Sequence, residues 1–233
     1  MDVQNIDLVI FDCDGVLIDS EVISASILIN QMADLGIEMS PAYIREHFLG
    51  RSFPTVAKRI AEAFGVALPD DTELRYRAAL LKRFEAELKC TQGVKDVLAR
   101  LNCKCCVATS SSPQRVARSL AIVGLTAQFG SNVFTASQVA RGKPAPDLFL
   151  FAAKQMDVDP ARALVIEDSA PGVTAAQRAQ MKVLHFAGGA HLAGASLPPE
   201  GLDQGPPVVS IGSWQAFPAD LLHAPAKTAD VSS

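Results

Sequence analysis

The stretch Leu8-Val-Ile-Phe-Asp-Cys-Asp-Gly-Val-Leu-Ile-Asp-Ser-Glu21 passes from an unbroken apolar run into acid within a few residues. Ile6 to Phe11 has the length and the β-branched and aromatic content of a strand buried on both faces. Two carboxylates, Asp12 and Asp14, follow it directly, on one face of a continued strand, and Gly15 allows a sharp turn after them. In a parallel α/β sheet the functional crevice lies beyond the carboxyl ends of the strands, so acids at this point ask what chemistry they serve.

The rest of the chain supplies the sheet. Cys103 to Ala108 is a second apolar run, preceded by Val94, Val97, Leu98 and Leu101 at helical spacing. A third run, Ala163 to Ile166, follows a helix-like segment from Asp147 to Met156, and a fourth, Val183 to Phe186, follows Gly172 to Gln180. A short further strand is expected at Val208 to Ile211, within a Gly-, Pro- and Ala-rich loop that begins at Gly188; a frayed end is expected from Ala224. The alternation predicts an α/β fold with a Rossmann-like parallel-sheet core, three layers deep, with helices on both faces.

Residues 19–87 contain no strand candidate. Their apolar positions follow helical periods, as in Leu28, Met32 and Leu35 or Val56, Ile60 and Phe64, and Ser40-Pro41 has the form of a helix N-cap followed by proline. We therefore expect an inserted α-helical cap domain over residues 18–88, hinged near Ile18-Asp19 and Leu88 to Thr91. The catalytic core is expected from residues 1–17 and 89–233.

With 233 residues, 49% of them apolar, the chain can bury a real core, and its net charge of −4 gives no reason to expect nucleic acid or an anionic membrane as partner. A small molecule is the expected partner, and a monomer the expected state. No charged-then-apolar leader opens the sequence and no apolar run reaches the roughly 20 residues of a membrane span, so a cytoplasmic protein is expected. Five cysteines fit a reducing compartment, and Cys103, Cys105 and Cys106 lack the paired spacing of zinc ligands, so we read them as buried thiols.

The unusual polar residues fall after strands. Asp12 and Asp14 follow the first, Thr109 to Ser112 the second, and Glu167-Asp168 the third, while Lys143 lies in the turn Arg141-Gly-Lys-Pro-Ala-Pro146. Carboxylates gathered in one crevice require a cation, and an all-oxygen set of this kind suits Mg²⁺. A lysine and hydroxyl donors beside it suit a phosphoryl group. One aspartate can then act as nucleophile and the other protonate the leaving group.

These elements, FDCDGVLIDSE, VATSSS, RGKPAPDLF and VIEDSAPGV, resemble in order the signature motifs of the haloacid dehalogenase superfamily of phosphohydrolases, in the branch with a helical cap inserted after the first motif. The resemblance spans Ile6 to about Phe186. It implies that Asp12 is nucleophile and metal ligand, and that Asp14 is general acid and then base while its carbonyl binds Mg²⁺. It further implies that Thr109 and the Ser110 amide hold a phosphoryl oxygen, that Lys143 bridges nucleophile and phosphate, and that Asp168 ligates the metal with Glu167 as an additional metal or water ligand. Asp14 speaks against dehalogenation, which needs no acid. The β-phosphoglucomutases share the cap type, but carry a histidine in the first cap helix about where this chain has Ser24. The cap loop Phe48-Leu-Gly-Arg-Ser-Phe53 makes Gly50 and Arg51 the candidate substrate contacts. The resemblance thus points to a phosphatase of small phosphorylated metabolites such as 6-phosphogluconate, with a phosphosugar mutase as the alternative.

Overall fold

The computed structural model describes residues 3–193 and 205–223. The expected frayed end from Ala224 and part of the loop after Gly188 lie outside the described residues. Six strands form one sheet, β1 (Leu8–Phe11), β2 (Lys104–Thr109), β3 (Val133–Thr135), β4 (Ala163–Glu167), β5 (Lys182–Phe186) and β6 (Val208–Ile211), in the order β3-β2-β1-β4-β5-β6. Every neighbouring pair is parallel, and β1 is held on both sides, with Phe11 level with Val107 of β2 and Ile166 of β4.

Side chains alternate across this sheet and feed two cores. Val9, Phe11, Val107 and Ile166 face Val94, Val97 and Leu98 of α5 (Val94–Arg100) and Val116 and Leu120 of α6 (Pro113–Ile122). Leu8, Ile10, Cys106 and Val165 face Leu148 and Phe149 of α8 (Asp147–Gln155) and Val173 and Ala176 of α9 (Ala170–Arg178). A short α7 (Thr126–Phe129) leads into β3. The three-layer α/β reading therefore holds, and β1 reads as a continuous apolar run because all four of its residues are fully buried.

Between β1 and α5 lie α1 (Glu21–Ala33), α2 (Pro41–His47), α3 (Phe53–Phe64) and α4 (Thr72–Glu87). Ser40 caps α2 by accepting from the Tyr43 N–H at 3.1 Å, as its sequence suggests. The chain enters and leaves this block along one line: the Asp19 N–H donates to the Lys89 carbonyl at 2.9 Å and the Thr91 N–H to the Leu17 carbonyl at 3.1 Å.

Several details differ from the sequence reading. β3 was not expected: three residues at the sheet edge show no usable period. β2 starts at Lys104 and runs on to Thr109, and α9 starts at Ala170, two residues before the expected Gly172, because Ser169 caps it by accepting from the Gly172 N–H at 3.2 Å. Trp214, beyond β6, stacks on Phe186 with 4.5 Å between ring centroids and donates through Nε1 to Thr91 Oγ1 at 2.8 Å, so the last strand is tied to the junction after α4. Cys106 is buried, Cys103 and Cys105 are half-buried, and all are free thiols. Among the described residues no helix is long and apolar enough to cross a membrane.

Phe11 lies at the centre of the sheet, against Phe129 and Trp214. Phe11→Ala should destabilise the protein by about 3–5 kcal/mol, and Ile166→Val by only about 0.5–1.5 kcal/mol. Urea unfolding followed by circular dichroism checks both; equal losses would show that the sheet centre is not the main core.

Candidate active site

Parallel pairing brings the carboxyl ends of β1, β2 and β4 to one edge, and a cavity of about 490 Å³ opens there, lined by Asp12, Asp14, Thr109, Ser110, Lys143 and Asp168. All the core positions singled out in the sequence thus come together, with Glu167 fully buried just beneath. The Asp12 N–H donates to the Ile166 carbonyl at 2.9 Å, which prolongs the β1–β4 ladder by one step and fixes the backbone of the first aspartate.

Lys143 organises the floor. Its ammonium donates to Asp12 Oδ1 at 2.8 Å, Glu167 Oε1 at 2.6 Å and the Ala108 carbonyl at 3.1 Å, and its nitrogen lies 4.9 Å from the centroid of the Phe149 ring. Glu167 Oε2 accepts from both the backbone N–H and the hydroxyl of Ser169, each at 2.9 Å. Asp12, Glu167 and Asp168 each offer a carboxylate oxygen within 4.8 Å of the others, and all three residues are buried.

Two glycines permit this crowding. Gly15 has φ +76°, and a Cβ there would lie 1.9 Å from Asp168 Oδ2. Gly50, with φ +71°, sits on the turn between α2 and α3; a Cβ on it would lie 2.3 Å from Ser169 Oγ, and its carbonyl accepts from the Ser110 hydroxyl at 3.3 Å. Arg51, next on that turn, lines the same cavity and donates from Nε to the His47 carbonyl at 3.1 Å.

Asp14 has different company. Its carboxylate accepts from the Ser20 hydroxyl at 2.6 Å, from Ser111 Oγ, and from Arg115 Nη2 at 2.7 Å. The sequence reading missed Arg115: an arginine one turn into a helix reads as a solvated charge, and only the fold carries α6 to β1. Glu21, at the start of α1, also faces the cavity, and burial pushes its carboxyl up to about 8, with the charge of Asp14 adding to the shift. His191, in the loop after β5, brings Nε2 within 2.8 Å of Asp168 Oδ2. A lone histidine in a Gly-rich loop gave no signal of this.

The surroundings push the two aspartates in opposite directions. Burial raises Asp12 well above the usual carboxylate range; Lys143 opposes this, while Glu167 and Asp168 reinforce it. Burial would raise Asp14 too, but the Arg115 guanidinium and the hydrogen bonds from Ser111 and Ser20 outweigh it and hold the group below its usual value. Asp168 is raised by burial and by Glu167. Lys143 is held protonated, since Asp12 and Glu167 overcome the effect of its burial. Three buried carboxylates thus stand around one ammonium that pairs with only Asp12 and Glu167, and among the described residues Asp168 Oδ2 accepts no well-aligned hydrogen bond. This all-oxygen, charge-deficient set fits a hard divalent cation. The cavity sets two carboxylates beside an ammonium and hydroxyls, groups that could together carry phosphoryl transfer through an acyl phosphate.

The pattern of the haloacid dehalogenase-like hydrolases matches residues 6–180. The chain is 28% identical over 189 residues to the 6-phosphogluconate phosphatase of Escherichia coli K12, covering 81% of this chain and 86% of that one. A haloacid dehalogenase-like protein of unknown function from Agrobacterium tumefaciens superposes with a TM-score of 0.76 at 32% identity, covering 92% of this chain and 97% of that one. The β-phosphoglucomutase of Clostridium difficile shares the fold, with a TM-score of 0.73 at 20% identity over 92% and 94% of the two chains. The chain belongs to the haloacid dehalogenase-like hydrolase family.

Proposed function

We propose that the protein is a Mg²⁺-dependent phosphatase that hydrolyses a small phosphorylated metabolite of the sugar-phosphate type, 6-phosphogluconate or a close analogue, through an aspartyl-phosphate. The observation that carries this reading is the placing of two aspartates, two residues apart, at one cavity, Asp12 against Lys143 and beside Glu167 and Asp168, Asp14 against Arg115 and two hydroxyls. The substrate class rests on the relative that is a 6-phosphogluconate phosphatase.

In this reading Asp12, as its carboxylate, attacks phosphorus and the bond from phosphorus to the leaving oxygen breaks. Asp14, which takes up a proton from solvent once the bound substrate draws Arg115 and its other donors away, gives that proton to the leaving oxygen. Asp14 then takes a proton from water, whose oxygen attacks phosphorus and releases Asp12 and inorganic phosphate. Lys143 steadies Asp12 and the phosphoryl oxygens, and the Thr109 hydroxyl with the Ser110 N–H holds a further one. Asp12, Asp168 and the Asp14 carbonyl would ligate Mg²⁺; Glu167, whose oxygens are engaged by Lys143 and Ser169, is the outer member of the set. When bound, the cation supplies the positive charge that three carboxylates and a phosphoryl group together lack.

We read residues 18–88 as a cap over a core of residues 1–17 and 89–233. The strand-free block between β1 and α5, and the paired crossings at Asp19–Lys89 and Leu17–Thr91, support that division. Gly50 and Arg51, at the cavity wall and against Ser110, are the proposed cap-side substrate contacts.

Phosphate release from a panel of sugar, polyol and carboxylic-acid phosphates should require Mg²⁺, be abolished by EDTA, and fall about 10⁴-fold or more in Asp12→Asn. Transfer of the phosphoryl group between positions of β-glucose 1-phosphate without net release would instead mark a mutase.

Mg²⁺ alone should raise the melting temperature, since about 100-fold excess over Kd contributes about 2.7 kcal/mol. Asp168→Asn should lose most of that shift, and an unchanged shift would remove Asp168 from the ligand set.

Glu21 supplies a pH test. Its carboxyl sits at about 8 folded against an ordinary 4.5, so the native state holds a proton that the unfolded chain releases, and stability falls as pH rises between those values. Glu21→Gln should match wild type near pH 5 and exceed it by roughly 1–2 kcal/mol above pH 8, less than the full shift because the side chain still touches water. Parallel pH profiles of urea midpoints would contradict the assignment.

A further inference from the structure

Arg115 is a half-buried guanidinium whose present partner is a group the proposed chemistry needs elsewhere. Its Nη2 donates to Asp14 Oδ1 at 2.7 Å and to Ser24 Oγ at 3.3 Å, and its Cζ lies 5.5 Å from the centroid of the Phe84 ring. Its Nε is buried and has no hydrogen-bond partner among the described residues. Nε and Nη2 form one edge of the guanidinium, the edge that takes both oxygens of a carboxylate or phosphoryl group, and Asp14 occupies only half of it.

The other cations lining the cavity are differently engaged. Lys143 is held by Asp12 and Glu167, Arg77 is paired with Glu73 on its own helix, and Arg51 donates to a carbonyl of its own turn. If Asp14 turns toward a leaving oxygen, Arg115 is left a cation beside Phe84, Tyr76 and Ser24, and the remaining acid that acts on it, Glu21, is held largely protonated at neutral pH by its burial. A hydroxyl could not replace that charge; an anion could.

We propose that Arg115 binds a second anionic group, carboxylate or phosphoryl, on the leaving-group side of the substrate, and that this group takes the guanidinium over from Asp14. The inference rests on the phosphatase reading above and names what that phosphatase selects: substrates with a second negative charge over neutral polyol or sugar monophosphates. A site built around a half-buried cation that loses its partner discriminates against a ligand that leaves it unpaired. Arg115 is thus a specificity residue, supplied by the helix that follows β2.

Binding separates this inference from the phosphatase reading. In an Asp12→Asn background, which does not turn over, calorimetry compares matched ligands: 6-phosphogluconate, glucitol 1,6-bisphosphate and glucitol 6-phosphate, then phosphoglycolate and 2-hydroxyethyl phosphate. In at least one set the ligand with the second anion should bind about tenfold or more tightly. Arg115→Gln should cut that preference to within about twofold, Arg115→Lys should restore part of it, and Arg51→Gln should leave it standing. If Arg115→Gln does not fold by circular dichroism, the Arg115→Lys ratio decides. The carboxylate and bisphosphate arms tell which anion is preferred. No preference in either set, a preference that survives Arg115→Gln or, where that variant does not fold, one undiminished in Arg115→Lys, or one carried by Arg51 would overturn the inference. Phosphate release by the wild-type protein is scored separately, so absent turnover with intact selective binding overturns the phosphatase reading alone.

Discussion

Three carboxylates and one ammonium are packed out of water at the carboxyl edge of the sheet, and most of the surrounding structure follows from making that possible. The side chains of Asp12, Glu167 and Lys143 are 7%, 0% and 1% exposed, so water does almost nothing to screen them. Charges buried this way are tolerated only when each is paired and hydrogen-bonded. Lys143 meets this with three acceptors from three different segments, and Glu167 with the backbone and hydroxyl of Ser169. Asp168 is the member left incompletely satisfied, which is why the cluster reads as a place for a cation and not as a closed ion-pair network.

The parallel sheet is what makes the cluster geometrically cheap. β1 is flanked on both sides, so Asp12, one residue past Phe11, and Asp168, two past its partner Ile166, leave adjacent strands at one edge, and the hydrogen bond from the Asp12 N–H to the Ile166 carbonyl sets their spacing before any side chain acts. Gly15 then lets the chain cross directly over Asp168 where any side chain would collide. Further out, Trp214 joins Phe186 of β5 to Thr91, and Thr91 in turn bonds the Val16 carbonyl. The edge of the sheet, the loop after Asp14 and the return from α4 are thereby fastened to one another.

The sequence made β1, β2, β4 and β5 legible because central strands covered on both faces are written as unbroken apolar runs. It hid β3, an edge strand of three residues. The motifs Asp12/Asp14, Thr109 to Ser112, Lys143 and Glu167-Asp168 were legible together because each follows a strand or opens a turn, and only their shared position at one edge raised them above ordinary loop residues. Arg115 was illegible for the same reason in reverse. It stands 101 residues from Asp14, within an amphipathic helix whose spacing accounts for it without any site, and nothing local marks it as buried. His191 and Glu21 were hidden likewise: their surroundings come from elements remote in the chain.

The contrast between Asp12 and Asp14 bears on what a two-residue motif can encode. The spacing sets where the backbone puts the two carboxylates, but their surroundings are tertiary: Lys143 reaches Asp12 from the turn before α8, and Arg115 reaches Asp14 from α6. At an effective dielectric of about 20, a unit charge a few ångströms away is worth about 4 kcal/mol, or roughly three pKa units, which is enough to separate two chemically identical groups. What distinguishes the two aspartates therefore resides in the elements brought to the sheet edge: Glu167 and Asp168 add to burial at Asp12, while Arg115, Ser111 and Ser20 overcome it at Asp14. The turn at Gly50, pressed against Ser110 and Ser169, links that edge to the helical block. A change in how the block sits would be felt at Ser110 through backbone contact, so the proposed substrate contacts at Gly50 and Arg51 and the proposed phosphoryl contacts share one mechanical path.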